Sequence, residues 1–143
     1  MFAPIEQEAW GGFLSTYSRL NRLIEEDLQE NTRITHAEFE VLLRLSWVES
    51  DRMRIQDLAA QSILTRSGVS RVVERLEKAG LVKREEASED RRGAYAVLTE
   101  AGKERFSAAA QSHIALVREH FLTHFTVAEL AQMADFWKRL SPG

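Results

Sequence analysis

The sequence predicts a mainly α chain carrying one short β-hairpin, an α+β arrangement dominated by helices. Three observations predict it. Apolar residues recur at spacings of 3 and 4 through most of the 143 residues, the period of a helix face. Helix-start signals stand where those stretches begin, at Thr35, Thr65, Thr99 and Thr126. Only between Leu81 and Leu98 does the period change, to two strand-like runs around a polar loop.

In chain order, Trp10, Phe13, Tyr17, Leu20, Ile24 and Leu28 form one face of a helix over about residues 5–30. Asn31-Thr32-Arg33 breaks that pattern. Thr35-His36-Ala37-Glu38 is a capping box, in which the threonine oxygen accepts an early N–H and the glutamate reaches back. It opens a helix with Phe39, Leu42, Leu43, Leu45 and Trp47, whose pattern ends near Glu49-Ser50-Asp51. Arg52-Met53-Arg54-Ile55 reads as a small strand, and residues 56–62 as a short helix with Leu58, Ala59 and Ala60 inward. Thr65 caps a helix reaching Ala79, with Val69, Val72, Val73 and Leu76 on one face and Gly80 just past its end. Residues 81–85 and 95–98 form the hairpin strands. Thr99 caps a long helix expected to reach about Thr123, with Phe106, Ala110, Ile114, Val117 and Phe121 as its stripe. Such a helix would be about 35 Å long. A small core does not use that length, so part of it is expected to pack on something else. A second capping box, Thr126-Val127-Ala128-Glu129, opens a last helix with Leu130, Met133, Trp137 and Leu140.

Composition narrows the function classes. The apolar and charged fractions, 44% and 29%, fit one globular domain and exclude collagen-like or disordered chains. No apolar run is long enough to span a membrane, and no basic stretch followed by an apolar core opens the chain. A cytoplasmic protein without membrane contact is therefore expected. With no cysteine, thiol catalysis, thiol redox sensing and cysteine-ligated metals are excluded. No nucleophile–base pair or glycine-rich phosphate loop is visible, so an enzyme is not expected.

The net charge of −3 argues against a nucleic-acid partner only as an average. Residues 65–92 hold eight basic and six acidic residues, while the rest of the chain holds eleven and sixteen. Steering of an anionic partner depends on such local balance more than on the total.

Short helix, turn, helix and β-hairpin in that order make a winged helix-turn-helix. The second helix buries its valines and presents Ser67, Arg71, Glu74 and Lys78, flanked by Ser70 and Arg75. An α-helix fits the major groove of B-DNA, small hydroxyls allow close approach, and arginines read guanine edges or clamp phosphates. Arg91 and Arg92 on the hairpin loop can enter the adjacent minor groove. Arg71 and Arg75 also admit a plainer reading, as surface charges paired with Glu74 and Glu77.

These residues resemble the multiple-antibiotic-resistance regulator (MarR) family over essentially the whole chain. The strongest part is the wing, where Asp90, Arg92, Leu98, Thr99 and Gly102 fall on the family's pattern. Ser67-Gly68-Val69-Ser70-Arg71 and the exit Leu76-Glu77-Lys78-Ala79-Gly80-Leu81-Val82 look like its recognition helix, and Arg84 sits where the family usually has an arginine.

The resemblance implies one unit over residues 1–143, with a helical dimerisation region at 5–34 and 99–140 and a DNA-binding lobe at 35–98. Ser67, Ser70 and Arg71 would face DNA, Arg75 a phosphate and Arg92 the minor groove, with Asp90 orienting the wing arginines; Thr65, Arg66 and Arg91 beside them are further DNA-binding candidates. The function implied is a homodimeric, ligand-responsive repressor on a pseudo-palindromic operator in double-stranded DNA. The competing reading is a ligand-independent winged-helix interaction or architectural module, favoured by the acids Glu74, Glu77, Glu85, Glu86 and Glu89. The family often binds aromatic or phenolic effectors, and Trp10, Phe13, Tyr17, Phe39 and Trp47 are the candidate lining, although such a stripe is more often core. His120 and His124, four residues apart, have a zinc-chelating spacing on a helix. They would need further ligands, such as His36 and Glu38, so no metal or cofactor is expected and a dimer seam is the expected setting of the histidines.

Overall fold

The computed structural model describes residues 1–62, 64–87 and 93–141. Asp90, Arg91 and Arg92 of the expected wing tip therefore lie outside the described residues. The elements run α1 (Pro4–Thr32), α2 (His36–Ser46), β1 (Arg52–Arg54), α3 (Ile55–Gln61), α4 (Arg66–Lys78), β2 (Val82–Glu86), β3 (Ala94–Leu98), α5 (Glu100–His120), a 3₁₀ turn (Leu122–His124) and α6 (Val127–Lys138).

Contacts divide the chain into two compact units: Met1–Ile24 with the chain from His113 onward, and Glu25–Ser112. The second contains the expected 35–98 segment, the last turns of α1 and the first half of α5.

This Glu25–Ser112 lobe has an apolar core. Leu28, Leu42, Leu45, Val69, Val73 and Ala96 are fully buried, with α2 and α3 packed on α4. The three strands form an antiparallel sheet in the order β1-β3-β2, with Arg52 opposite Val97 and Val82 opposite Leu98. Alternation along the strands puts buried Val82, Ala96 and Leu98 on one face, and Arg52, Arg54, Lys83 and Tyr95 on the other.

The capping signals translate directly. Thr35 accepts from the Glu38 N–H and the Glu38 carboxylate from the Thr35 N–H, each at 3.1 Å. Gly80 at φ +76° ends α4, with the Leu81 N–H on the Leu76 carbonyl (2.9 Å) and the Gly80 N–H on the Glu77 carbonyl (3.0 Å). That is a Schellman ending, and it turns buried Leu76 and Leu81 onto each other. Thr99 donates to the Gly80 carbonyl at 2.7 Å and accepts from the Gly102 N–H at 3.0 Å, so one hydroxyl ties the α4 turn to the start of α5. At Gly102 a Cβ would collide with the Leu81 carbonyl oxygen and the Leu98 side chain, which is why no larger residue fits there. Lys103 bonds Asp51 (2.8 Å) and Glu100 (3.0 Å), and these bonds raise its pKa above the ordinary lysine value.

Two helix ends differ from expectation. α2 stops at Ser46, whose hydroxyl donates to the Leu43 carbonyl at 2.6 Å. α5 stops at His120, because Phe121 leaves helical geometry (φ −135°, ψ −65°) and a 3₁₀ turn follows.

The other unit has a different texture. No described residue of 1–24 or 113–141 is buried. Trp10, Phe13 and Tyr17 stack in a row at ring separations of 5.7 and 6.1 Å, and Trp137 approaches Phe13 at 6.0 Å. These rings remain 43–52% exposed.

Candidate nucleic-acid interface

The helix α4 has two opposed faces. Val69, Val72, Val73 and Leu76 are buried, while Arg66, Ser67, Ser70, Arg71, Glu74, Arg75 and Lys78 are exposed. The 3.6-residue period makes both facts one: fixing the valines in the core turns the hydroxyls and arginines outward. Thr65 is the N-cap, accepting from the Gly68 N–H at 3.1 Å and lying 3.2 Å from the Ser67 hydroxyl. Its oxygen is thus engaged in starting the helix.

The ion pairs of α4 are not those that local spacing offered to Arg75. Its Nε donates to Glu38 Oε1 at 3.0 Å, across to α2. Glu74 instead pairs with Lys78 at 3.3 Å, and Glu77 with Arg84 on β2 at 3.9 Å. The physical reason is packing: α2 lies on α4 and brings Glu38, only 12% exposed, to the arginine. The same carboxylate completes the α2 capping box, so Arg75 is held by a group that is itself fixed. The acidic Glu74 on the outward face is explained by Lys78.

The sheet adds cations that sequence reading left out. Arg52 lies 4.1 Å and Arg54 5.4 Å from the Tyr95 ring centre, both within cation–π range. Lys83 reaches Glu85 at 3.3 Å. The Arg-Met-Arg alternation of β1 was the available signal, because it puts both arginines on one face. Arg84, in register with buried Ala96, instead lies on the face towards the helices. With Gln56, Arg66, Ser70 and Gly93 it lines a recess of about 250 Å³ between α4 and the base of the wing.

The aromatic candidates are divided between the two units. Trp10, Phe13 and Tyr17 belong to the terminal unit, where Trp10 and Phe13 with Phe136 and Trp137 line an open apolar groove of about 820 Å³. Phe39 is a core residue of the lobe, 4% exposed and stacked on Phe106 at 5.6 Å. Trp47 lies just past the far end of α2 and is 69% exposed. Phe39 thus packs in the lobe core.

The histidine spacing also changes meaning. His120 is the last residue of α5, and His124 lies in the 3₁₀ turn beyond the break, so the two are not one turn apart on a continuous helix. Among the described residues no group of three or more histidines and carboxylates is placed to hold a metal ion. No helix among them is long and apolar enough to cross a membrane.

Comparison with known proteins gives this geometry a family. Residues 34–93 match the MarR family. The chain is 37% identical to AbsC, a MarR family transcriptional regulator from Streptomyces coelicolor, with a TM-score of 0.92 over 98% of this chain and 94% of that one. It is 28% identical to Sco3205, a MarR family regulator of the same organism solved in complex with DNA, with a TM-score of 0.93 over 98% and 88% of the two chains. It is also 26% identical over 126 residues to the HTH-type transcriptional regulator PapX of Escherichia coli, covering 86% of this chain and 67% of PapX. A helix-turn-helix with an outward hydroxyl-and-arginine face, a three-stranded wing and these relatives lead to one conclusion: the chain belongs to the MarR family of winged helix-turn-helix transcription regulators.

Proposed function

We propose that the protein is a homodimeric repressor that binds a pseudo-palindromic operator in duplex DNA and releases it in response to a small effector. α4 enters the major groove with Ser67, Ser70 and Arg71 at base edges and with Arg66 and Arg75 at phosphates. The wing, with Asp90, Arg91 and Arg92, enters the adjoining minor groove. The observation that carries this reading is the two-faced α4, whose outward side holds small hydroxyls and arginines on a helix anchored by four buried apolar residues. The likeness to a regulator solved in complex with DNA supports it. So does Arg75, whose guanidinium is already oriented by Glu38.

The dimer is supported by the terminal unit. Trp10, Phe13, Leu14, Tyr17, Phe136, Trp137 and Leu140 are all at least 43% exposed in the single chain. A contiguous apolar surface of this kind marks an interaction site, and a second copy presenting the same surface is its occupant. Two-fold symmetry then places the half-sites about one helical turn apart. For the effector, a smaller apolar cleft of about 340 Å³ between Tyr17, Leu20, Phe121 and Phe125 has the size and lining for an aromatic or phenolic molecule.

Footprinting on DNA flanking the protein's own coding region tests the reading. A symmetric protected stretch of about two helical turns is expected. Arg92→Ala should weaken binding and flatten the salt dependence by about one unit per half-site, with the dimer intact. No protection on any fragment at low salt would overturn DNA binding and favour a protein-interaction role for the wing. Thermal-shift screening against phenolic acids tests the effector, since a true ligand raises the melting temperature by mass action.

A further inference from the structure

A duplex read by α4 in its major groove and by the wing in the adjoining minor groove must pass one sugar–phosphate strand between the two, because that strand is what separates the grooves. The space available to it is the recess of about 250 Å³ bounded by Arg66 and Ser70 of α4, Gln56 of α3, Arg84 of β2, and Gly93 and Ala94 at the base of the wing. Among the described residues, two guanidinium side chains, a hydroxyl and a carboxamide line it, and no carboxylate does. An anion held by several donors is what such a lining suits.

We propose that this recess seats one phosphodiester of the strand lying between the grooves. Arg84 and Arg66 are its charged walls, and Gln56 and Ser70 its neutral donors. Arg84 and Gln56 thereby become DNA contacts belonging neither to the base-reading face of α4 nor to the wing tip. The inference rests on the DNA-binding reading above.

The position of Arg84 is set by the fold. Its register partner Ala96 is fully buried, so strand alternation turns Arg84 towards the helices and away from the outer sheet face. Its Nε stands 3.9 Å from Glu77 Oε2, both side chains about 40% exposed. Such a long, hydrated pair is weak and yields to a phosphate. Gln56 and Arg66 are both exposed in the lobe. Each contact is to phosphate, so the recess adds affinity without choosing a base sequence, and it fixes how deeply α4 sits in its groove.

The test is a methylphosphonate scan of one operator half-site, neutralising one phosphate at a time, with wild-type protein, Arg84→Ala and Arg71→Ala. For the wild type, one phosphate at the boundary between the major- and minor-groove footprints should be sensitive, losing about tenfold in affinity when neutralised. Arg84→Ala should lose a similar factor on unmodified DNA, flatten the salt dependence by about one unit per half-site, and become indifferent to that same substitution. Arg71→Ala should keep the sensitivity. Glu77→Gln should bind more tightly than wild type, because it removes the acid competing for Arg84. Arg84→Lys, which keeps a charge, should recover part of the affinity, and serves if the alanine variant does not fold. The proposal is overturned if Arg84→Ala and Arg84→Lys both retain wild-type affinity and the wild-type sensitivity pattern. If wild-type protein forms no footprint at all, the DNA-binding reading falls first, and that outcome is distinct from an intact footprint unaffected at Arg84.

Discussion

The two halves of this chain solve the burial problem in opposite ways. The Glu25–Ser112 lobe encloses its apolar side chains, with Leu28, Leu42, Leu45, Val69 and Val73 fully buried. In the terminal unit no described residue is buried, although Trp10, Phe13, Phe136 and Trp137 are large and apolar. Fully burying one such side chain is worth about 1.5–3 kcal/mol, so a unit leaving several half-exposed forgoes most of its own stabilisation. The lobe encloses an apolar core of its own, whereas the terminal helices leave their apolar side chains open. In the dimer proposed above, the lobe holds the DNA-reading helix rigid while the terminal unit is completed by a second copy.

The largest expected effect sharpens that contrast from the lobe's side. Leu45→Ala removes a fully buried side chain from the α2 core. It should cost about 2–5 kcal/mol of stability, seen in denaturant melts as a lower midpoint with unchanged slope. A loss below about 1 kcal/mol would mean that the lobe core is far more plastic than its packing suggests.

The next effect falls on the other unit. Trp137→Ala should weaken dimerisation by about 2–4 kcal/mol, as expected of an aromatic anchor, and sedimentation should show monomer at concentrations where the wild type is dimeric. The lobe should remain folded, because Trp137 contributes nothing to its core. Loss of lobe structure in this variant would break the distinction between the two units.

How much of this was legible in the sequence follows the same division. Local features could be read: the capping boxes at Thr35 and Thr126, the Thr65 cap, the Gly80 ending and the two faces of α4 all depend on residues within a few positions of one another. Features made by packing could not. The Arg75–Glu38 pair spans 37 residues and exists because α2 lies on α4. Arg84 meets Arg66 and Ser70 only once β2 is paired to β3 beside that helix. The burial of Phe39 against Phe106 required α2 and α5 to meet. The break after His120 carries neither glycine nor proline, so its backbone had no signal to read.

The smallest expected effect compares one motif in both settings. Thr35-x-x-Glu38 and Thr126-x-x-Glu129 are both complete capping boxes, with reciprocal bonds of 2.8–3.2 Å. Removing either threonine side chain should cost about 0.5–2 kcal/mol by cap loss alone, so isolated helices would respond alike. Their surroundings differ. Glu38 is 12% exposed and holds Arg75, so Thr35→Ala frees a nearly buried carboxylate to move and loosens the arginine with it. Thr126 and Glu129 are exposed, and their side chains bond to each other's residue at the start of α6. Thr35→Ala should therefore lower both lobe stability and operator affinity, whereas Thr126→Ala should fray α6 and show itself as a weaker dimer with unaltered lobe stability. Paired measurements of melting, sedimentation and DNA binding separate the two. Equal effects on all three would mean that the capping box acts only through its own helix, and that Glu38 is not what holds Arg75 in place.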